Sequence, residues 1–115
     1  MRVLVCGGRD FSDQDLFDRV MEALYLKLVH KGQSISCIIH GAARGADRMA
    51  DSWAKVNGIT PIPFPADWDQ HGKAAGPIRN RQMLKEGKPD LVIAFPGNKG
   101  TRDMVSIARS AGVKV

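Results

Sequence analysis

Four short apolar runs, at residues 3–6, 35–39, 59–64 and 91–95, are separated by stretches of helical periodicity, and this alternation constrains the fold more than any other feature of the chain. Three of the runs are nearly continuous in apolar residues, which predicts strands covered on both faces. Residues 113–115 offer a short fifth strand at an edge. The clearest helix carries Leu16, Phe17, Val20, Met21, Leu24 and Leu28 on one stripe, with a capping-box pattern at residues 12–15 before it and Gly32 closing it. Further helices are predicted over about 46–56, ending near Asn57-Gly58, over 77–85 before Gly87, and over 101–111 before Gly112. Strand and helix alternating through short connections require right-handed crossovers and a parallel sheet. The expected architecture is an α/β, Rossmann-like, doubly wound parallel sheet of four to five strands flanked by helices, a single domain over residues 1–115.

A chain of 115 residues buries roughly two thirds of its unfolded surface, enough for one core without disulfides. With 43% hydrophobic and 25% charged residues, no region has the polar bias of a disordered tail. Cys6 and Cys37 each sit inside an apolar run, the pattern of buried free thiols in a reducing compartment, so no metal site, redox pair or bound cofactor is expected. The N-terminal run reaches glycine too soon for a signal peptide, and no apolar stretch approaches the length of a membrane span. The expectation is a cytoplasmic protein without membrane association.

In a doubly wound sheet the ligand site lies beyond the carboxyl ends of the strands. Three strands here are followed by glycine and charge: Gly7-Gly8-Arg9-Asp10, then His40-Gly41-Ala42-Ala43-Arg44-Gly45-Ala46-Asp47, then Pro96-Gly97-Asn98-Lys99-Gly100-Thr101-Arg102-Asp103. Glycine lets backbone N–H groups approach an anion, and the following helix N-terminus adds partial positive charge. Neither the Walker A spacing nor the full G-x-G-x-x-G fingerprint is present, so a phosphate must be held in another way. The net charge of +5 invites a nucleic-acid reading. Yet Arg9, Arg44, Lys73, Arg79, Arg81, Lys99 and Arg102 share these segments and the long third connection with Asp10, Asp47, Asp67, Asp69 and Asp103, a mixture that fits a compact anion pocket better than a long phosphate-tracking stripe.

The third connection is the longest and contains Trp68, able to stack on a base or to cover the sheet end, and His71, which with His40 is a candidate acid-base group. Arg79 and Arg81 lie two apart near a helix start, so only one faces the strand ends; Arg79 is assigned to the ligand, where its planar fork can hold a phosphate with two parallel hydrogen bonds.

Taken together, these segments and Pro65-Ala66-Asp67-Trp68 and Gly76-Pro77-Ile78-Arg79-Asn80-Arg81 resemble the SLOG superfamily, most closely its small YspA-like, cpYpsA-related branch, over essentially the whole chain. The resemblance implies a Rossmann-like protein that binds a nucleotide or nucleotide-derived molecule, as a sensor or sequestering module. Its Lonely Guy relatives, phosphoribohydrolases that cut the base from a nucleoside monophosphate, carry P-G-G-x-G-T-x-E-E and R-K-x-x-M. Here residues 96–104 read P-G-N-K-G-T-R-D-M and residues 79–83 read R-N-R-Q-M. The phosphate-cradling half is similar, whereas Asp103 stands at the first glutamate position and Met104 at the second. Aspartate draws the carboxylate back by about 1.5 Å, and a 1 Å misplacement costs on the order of a hundredfold in rate.

A second relative, the DNA-processing protein A family, binds single-stranded DNA and has S-G-x-A-x-G-I-D and R-N-R segments similar to residues 40–47 and 79–81. Single-strand binding wants aromatic platforms along a positive groove, and most aromatic residues here fall in core positions. The ligand site is therefore assigned to Gly7, Gly8, Arg9, Gly41, Arg44, Gly45, Asp47, Trp68, Arg79, Gly97, Lys99, Gly100 and Thr101, with Arg79 and Asp103 as the catalytic pair if a glycosidic bond is cut. Whether the protein is an enzyme stays open. The expected partner is a nucleotide, with nucleic acid as the alternative, and the resemblance implies a homodimer.

Overall fold

The apolar runs become strands because each is too short to complete a helix and is stopped by glycine or proline. In the computed structural model, which describes residues 1–115, β1 (Arg2–Cys6), β2 (Cys37–His40), β3 (Thr60–Pro63) and β4 (Leu91–Ala94) form one parallel sheet in the order β3-β2-β1-β4. Leu4 stands in register between Ile39 of β2 and Val92 of β4. Successive side chains of β1 point to opposite faces. Val3 and Val5 meet Phe17 and Met21 of α1 (Gln14–His30) and Ala46, Ala50 and Ala54 of α2 (Ala46–Val56). Those three alanines fall at helical spacing, and their small size lets α2 lie close to the sheet. Leu4 and Cys6 face Met83, and Met104 and Ala108 of α5 (Lys99–Ser110), on the other side. The chain is therefore a Rossmann-like α/β protein with helices on both faces of a parallel sheet.

Several expectations shift at this level. β1 and β2 are covered on both faces, but β4 lies at an edge, where Leu91 and Ile93 are half-buried and Ala94 is exposed. The fifth strand reduces to a single bridge, in which the Val92 N–H donates to the Lys114 carbonyl at 2.8 Å. The first helix is capped one residue later than the capping-box pattern predicts: Asp13, not Ser12, accepts from the Leu16 N–H at 3.0 Å. The long third connection folds into a short helix α3 (Trp68–His71) and a 3-10 turn (Gly72–Ala74) before α4 (Ala75–Gln82). The helix then widens into a π turn over Met83–Gly87, which ends on Lys88 in the left-handed conformation. Gly87 serves packing there: a Cβ at that position would meet Ile39 side-chain atoms from 3.2 Å. The last helix begins at Lys99, earlier than predicted, so Lys99 and Gly100 belong to its first turn.

The chain runs from β1 outward through β2 to β3 with helices on one face, then crosses back to β4 with helices on the other. The connections leaving β1 and β4 diverge at this reversal, which opens a crevice at their carboxyl ends.

Candidate functional site

The walls of the crevice are three backbone turns packed against one another. The Gly8 N–H donates to the Pro96 carbonyl at 2.9 Å, tying the β1 turn to the β4 turn. Gly45 has φ of 73°, and a Cβ there would run into the carbonyls of Gly8 and Arg9. At Gly97 a Cβ would strike Thr101 Oγ1 and the Gly8 nitrogen. Gly45 and Gly97 thus let the loops approach each other and stand behind the surface of the cleft.

The cleft has a volume of about 640 Å³, within the range of small-ligand sites, and brings together Gly7, Gly8, Arg9, Arg44, Asp47, Trp68, Arg79, Lys99, Gly100, Thr101 and Asp103 of the residues assigned from sequence. Gly41 lines an adjoining basin. Lys73, Asp10 and Asn80 enter the cleft wall in addition. Arg81 is exposed on the outer side of α4, as its spacing from Arg79 requires.

Arg79 is more engaged than its sequence position suggests. Its Nη1 donates to the Gly41 carbonyl at 2.6 Å and its Nε to Asn80 Oδ1 at 3.0 Å. Nη2 has no hydrogen-bond partner within the protein. Gly41 is needed for this approach, because a Cβ would collide with the guanidinium and with the Asp47 carboxylate. Asn80 is buried, and its Nδ2 donates both to the Gly100 carbonyl at 3.1 Å and to Asp103 Oδ2 at 2.9 Å. One amide therefore joins the guanidinium of α4 to the carboxylate of α5. Sequence reading passed over Asn80, though a signal existed: Gly76, Asn80 and Met83 fall at helical spacing on the buried stripe of that segment, and Asn80 is the polar residue in it.

Burial controls the charges on the cleft floor. It pushes the Asp47 carboxyl above its ordinary value, while the N–H groups of Ala43 and Gly41 and the charge of Arg79 oppose the shift. The Ala43 N–H lies 3.3 Å from Asp47 Oδ2. Burial also lowers the Arg79 pKa, an effect Asp47 opposes and Arg9 reinforces. The Cys6 thiol is pushed up to about 12, first by burial and then by the nearby Asp47 charge, which keeps it protonated and unreactive.

Neither candidate histidine reaches the cleft. His71 ends α3 on the surface. His40 is buried under the β2 turn, where its Nδ1 accepts from the Ala42 N–H at 3.0 Å and its Nε2 lies 2.9 Å from Asp51 Oδ1. That geometry places the ring proton on Nε2 and makes His40 a clamp on a turn in which Ala42 holds a φ of 59°. No three His, Cys, Asp or Glu side chains stand close enough to hold a metal ion.

A parallel sheet with helices on both faces and a cationic cleft at its strand reversal defines a Rossmann-like α/β protein with its opening at the switch point. Residues 1–71 match the YspA, cpYpsA-related SLOG family. The chain belongs to that family. The matched stretch runs from β1 to the end of α3 and includes the first two glycine turns, whereas Arg79, Asn80 and Asp103 lie beyond it. The chain is also 40% identical over 121 residues to the Gene 61 protein of Mycobacterium phage D29, covering 99% of this chain and 93% of the phage protein. No solved structure matches it.

Proposed function

We propose that the cleft binds a small nucleotide or nucleotide-derived molecule through its phosphate. The observation that carries this reading is the convergence, in one concave site, of the β1 glycine turn, the first turn of α5 and the free Nη2 of Arg79. Unpaired N–H groups at a helix start favour an anion, the exposed Lys99 adds a positive charge, and a half-exposed Trp68 offers an apolar face beside them. SLOG membership supports a nucleotide-related ligand in general.

Thermal unfolding against nucleoside monophosphates, NAD, ADP-ribose, cyclic nucleotides and an oligothymidine tests it. A ligand at about 100 times its dissociation constant adds about 2.7 kcal/mol, which moves the midpoint by on the order of 10 °C. The shift is expected with a small nucleotide and is expected to vanish in Arg79→Ala. Because Arg79 also holds Gly41 and Asn80, that variant must first be shown to retain native circular dichroism. A shift with the oligothymidine alone would move the function to single-strand binding.

A second reading, hydrolysis of a nucleotide N-glycosidic bond, is favoured by the Arg79-Asn80-Asp103 chain, which holds a carboxylate at the cleft in a fixed position. Such a carboxylate can stabilise an oxocarbenium-like sugar and orient water. Base release from a nucleoside monophosphate, lost in Asp103→Asn, is the expected result; release that survives this substitution removes Asp103 from the chemistry.

A further inference from the structure

Beyond Trp68 the cleft adjoins a second basin of about 330 Å³, walled in part by Arg9, Arg44, Arg48 and Arg79 and by no carboxylate. The one lysine or arginine salt bridge of this protein joins Lys55 to Asp51, so none of the four guanidinium groups is in a salt bridge, and of the four Arg79 alone feels a nearby buried carboxylate, that of Asp47. Like charges gathered without a counterion repel one another, and an anion placed among them relieves that repulsion. The partition between cleft and basin is thin: Arg9 lies over the Trp68 ring, its Cζ 5.1 Å from the centroid. Arg9, Arg44 and Arg79 face both spaces, whereas Arg48 faces the basin and not the cleft.

The cationic track also ends. The next concavity shares Arg9 and Arg48 with the basin but adds Asp10 and Asp18, which offset those two charges and make it a poorer place for a further phosphate. A long strand continuing past the basin would meet these acids. We propose that the ligand is a nucleotide with phosphate on both sides of one sugar, a nucleoside bisphosphate in class, whose second phosphate is held in the basin by Arg44 and Arg48. This inference rests on the reading of the cleft as a phosphate site.

The test is calorimetric titration, at one ionic strength, of the nucleoside 5′-monophosphates and the matching 3′,5′-bisphosphates into wild type, Arg48→Ala, Arg48→Glu and Lys99→Ala. Arg48 is exposed on α2, so its replacement leaves the core intact. The bisphosphate is expected to bind at least about tenfold tighter than the monophosphate, consistent with one charge-assisted phosphate contact. Arg48→Ala should erase that advantage, Arg48→Glu should reverse it, and Lys99→Ala should weaken both ligands. Monophosphate binding without a bisphosphate advantage, or an advantage that persists in Arg48→Glu, overturns the second subsite and leaves the cleft reading intact. Failure of every nucleotide to bind overturns both. Affinity for oligothymidine that keeps growing with length would overturn the bisphosphate in favour of nucleic acid.

Discussion

Asp47 carries its charge in a place that disfavours it, and the sign of its shift sets how the protein answers pH. Its folded-state pKa lies above the ordinary 3.8, so the native state holds the proton more tightly than the unfolded chain. This group's contribution to stability is fully present below 3.8 and is lost as pH rises through the folded-state value. The stability difference between Asp47→Asn and wild type should therefore be flat at the acid end and move in the variant's favour as pH rises through that window. Urea midpoints between about pH 3 and 7 measure it, and a difference that stays constant would contradict the shift. Asn80 acts through geometry instead of charge. Truncation to alanine leaves Arg79 Nε, the Gly100 carbonyl and the Asp103 carboxylate without their partner, so a loss of about 1–3 kcal/mol is expected. The urea midpoint should fall with an unchanged slope. That Arg79 and Arg81 face different sides was legible from their spacing, and the structure puts Arg79 on the cleft wall. Its restraint by Gly41 was not, because the two residues lie 38 positions apart and meet only when β2 and α4 pack.

At the scale of elements, the α2 bounds follow from sequence because its start and stop are local: a glycine turn before, Asn57-Gly58 after. Two glycines at its ends do different work. Gly58 has φ of 68° with open space around its α-carbon, while Gly45 has a similar φ and lies against the β1 turn. Gly58→Ala should cost about 1 kcal/mol, the ordinary penalty of the left-handed conformation. Gly45→Ala adds a clash with two carbonyls and should cost more than about 3 kcal/mol or prevent folding. Thermal midpoints of the two variants compare them directly, and equal losses would mean that the turns do not lock. The π turn at Met83–Gly87 was not legible. Glycine 87 reads locally as a helix stop, and only the approach of Ile39 explains why it sits inside the turn.

Across the whole molecule, no helix is long and apolar enough to cross a membrane, and the net charge of +5 is poorly paired. Guanidinium groups gathered around the cleft and basin repel one another, so raising ionic strength from about 20 to 200 mM should stabilise the protein, because the screening length shrinks to about the spacing of such groups. Urea midpoints at the two salt concentrations check this; a protein held by surface ion pairs would respond in the opposite sense.

The sequence by itself determined the α/β class, the order of strands and helices and the places where glycine turns meet charge, since apolar periodicity and turn chemistry act over a few residues. The tertiary structure alone decided that β4 lies beside β1, that Asn80 joins Arg79 to Asp103, and that four arginines from three segments share one basin without a carboxylate in its wall. Those contacts depend on which faces the crossovers bury against the sheet, and that is settled by the packing of the whole core rather than by any local preference of the chain.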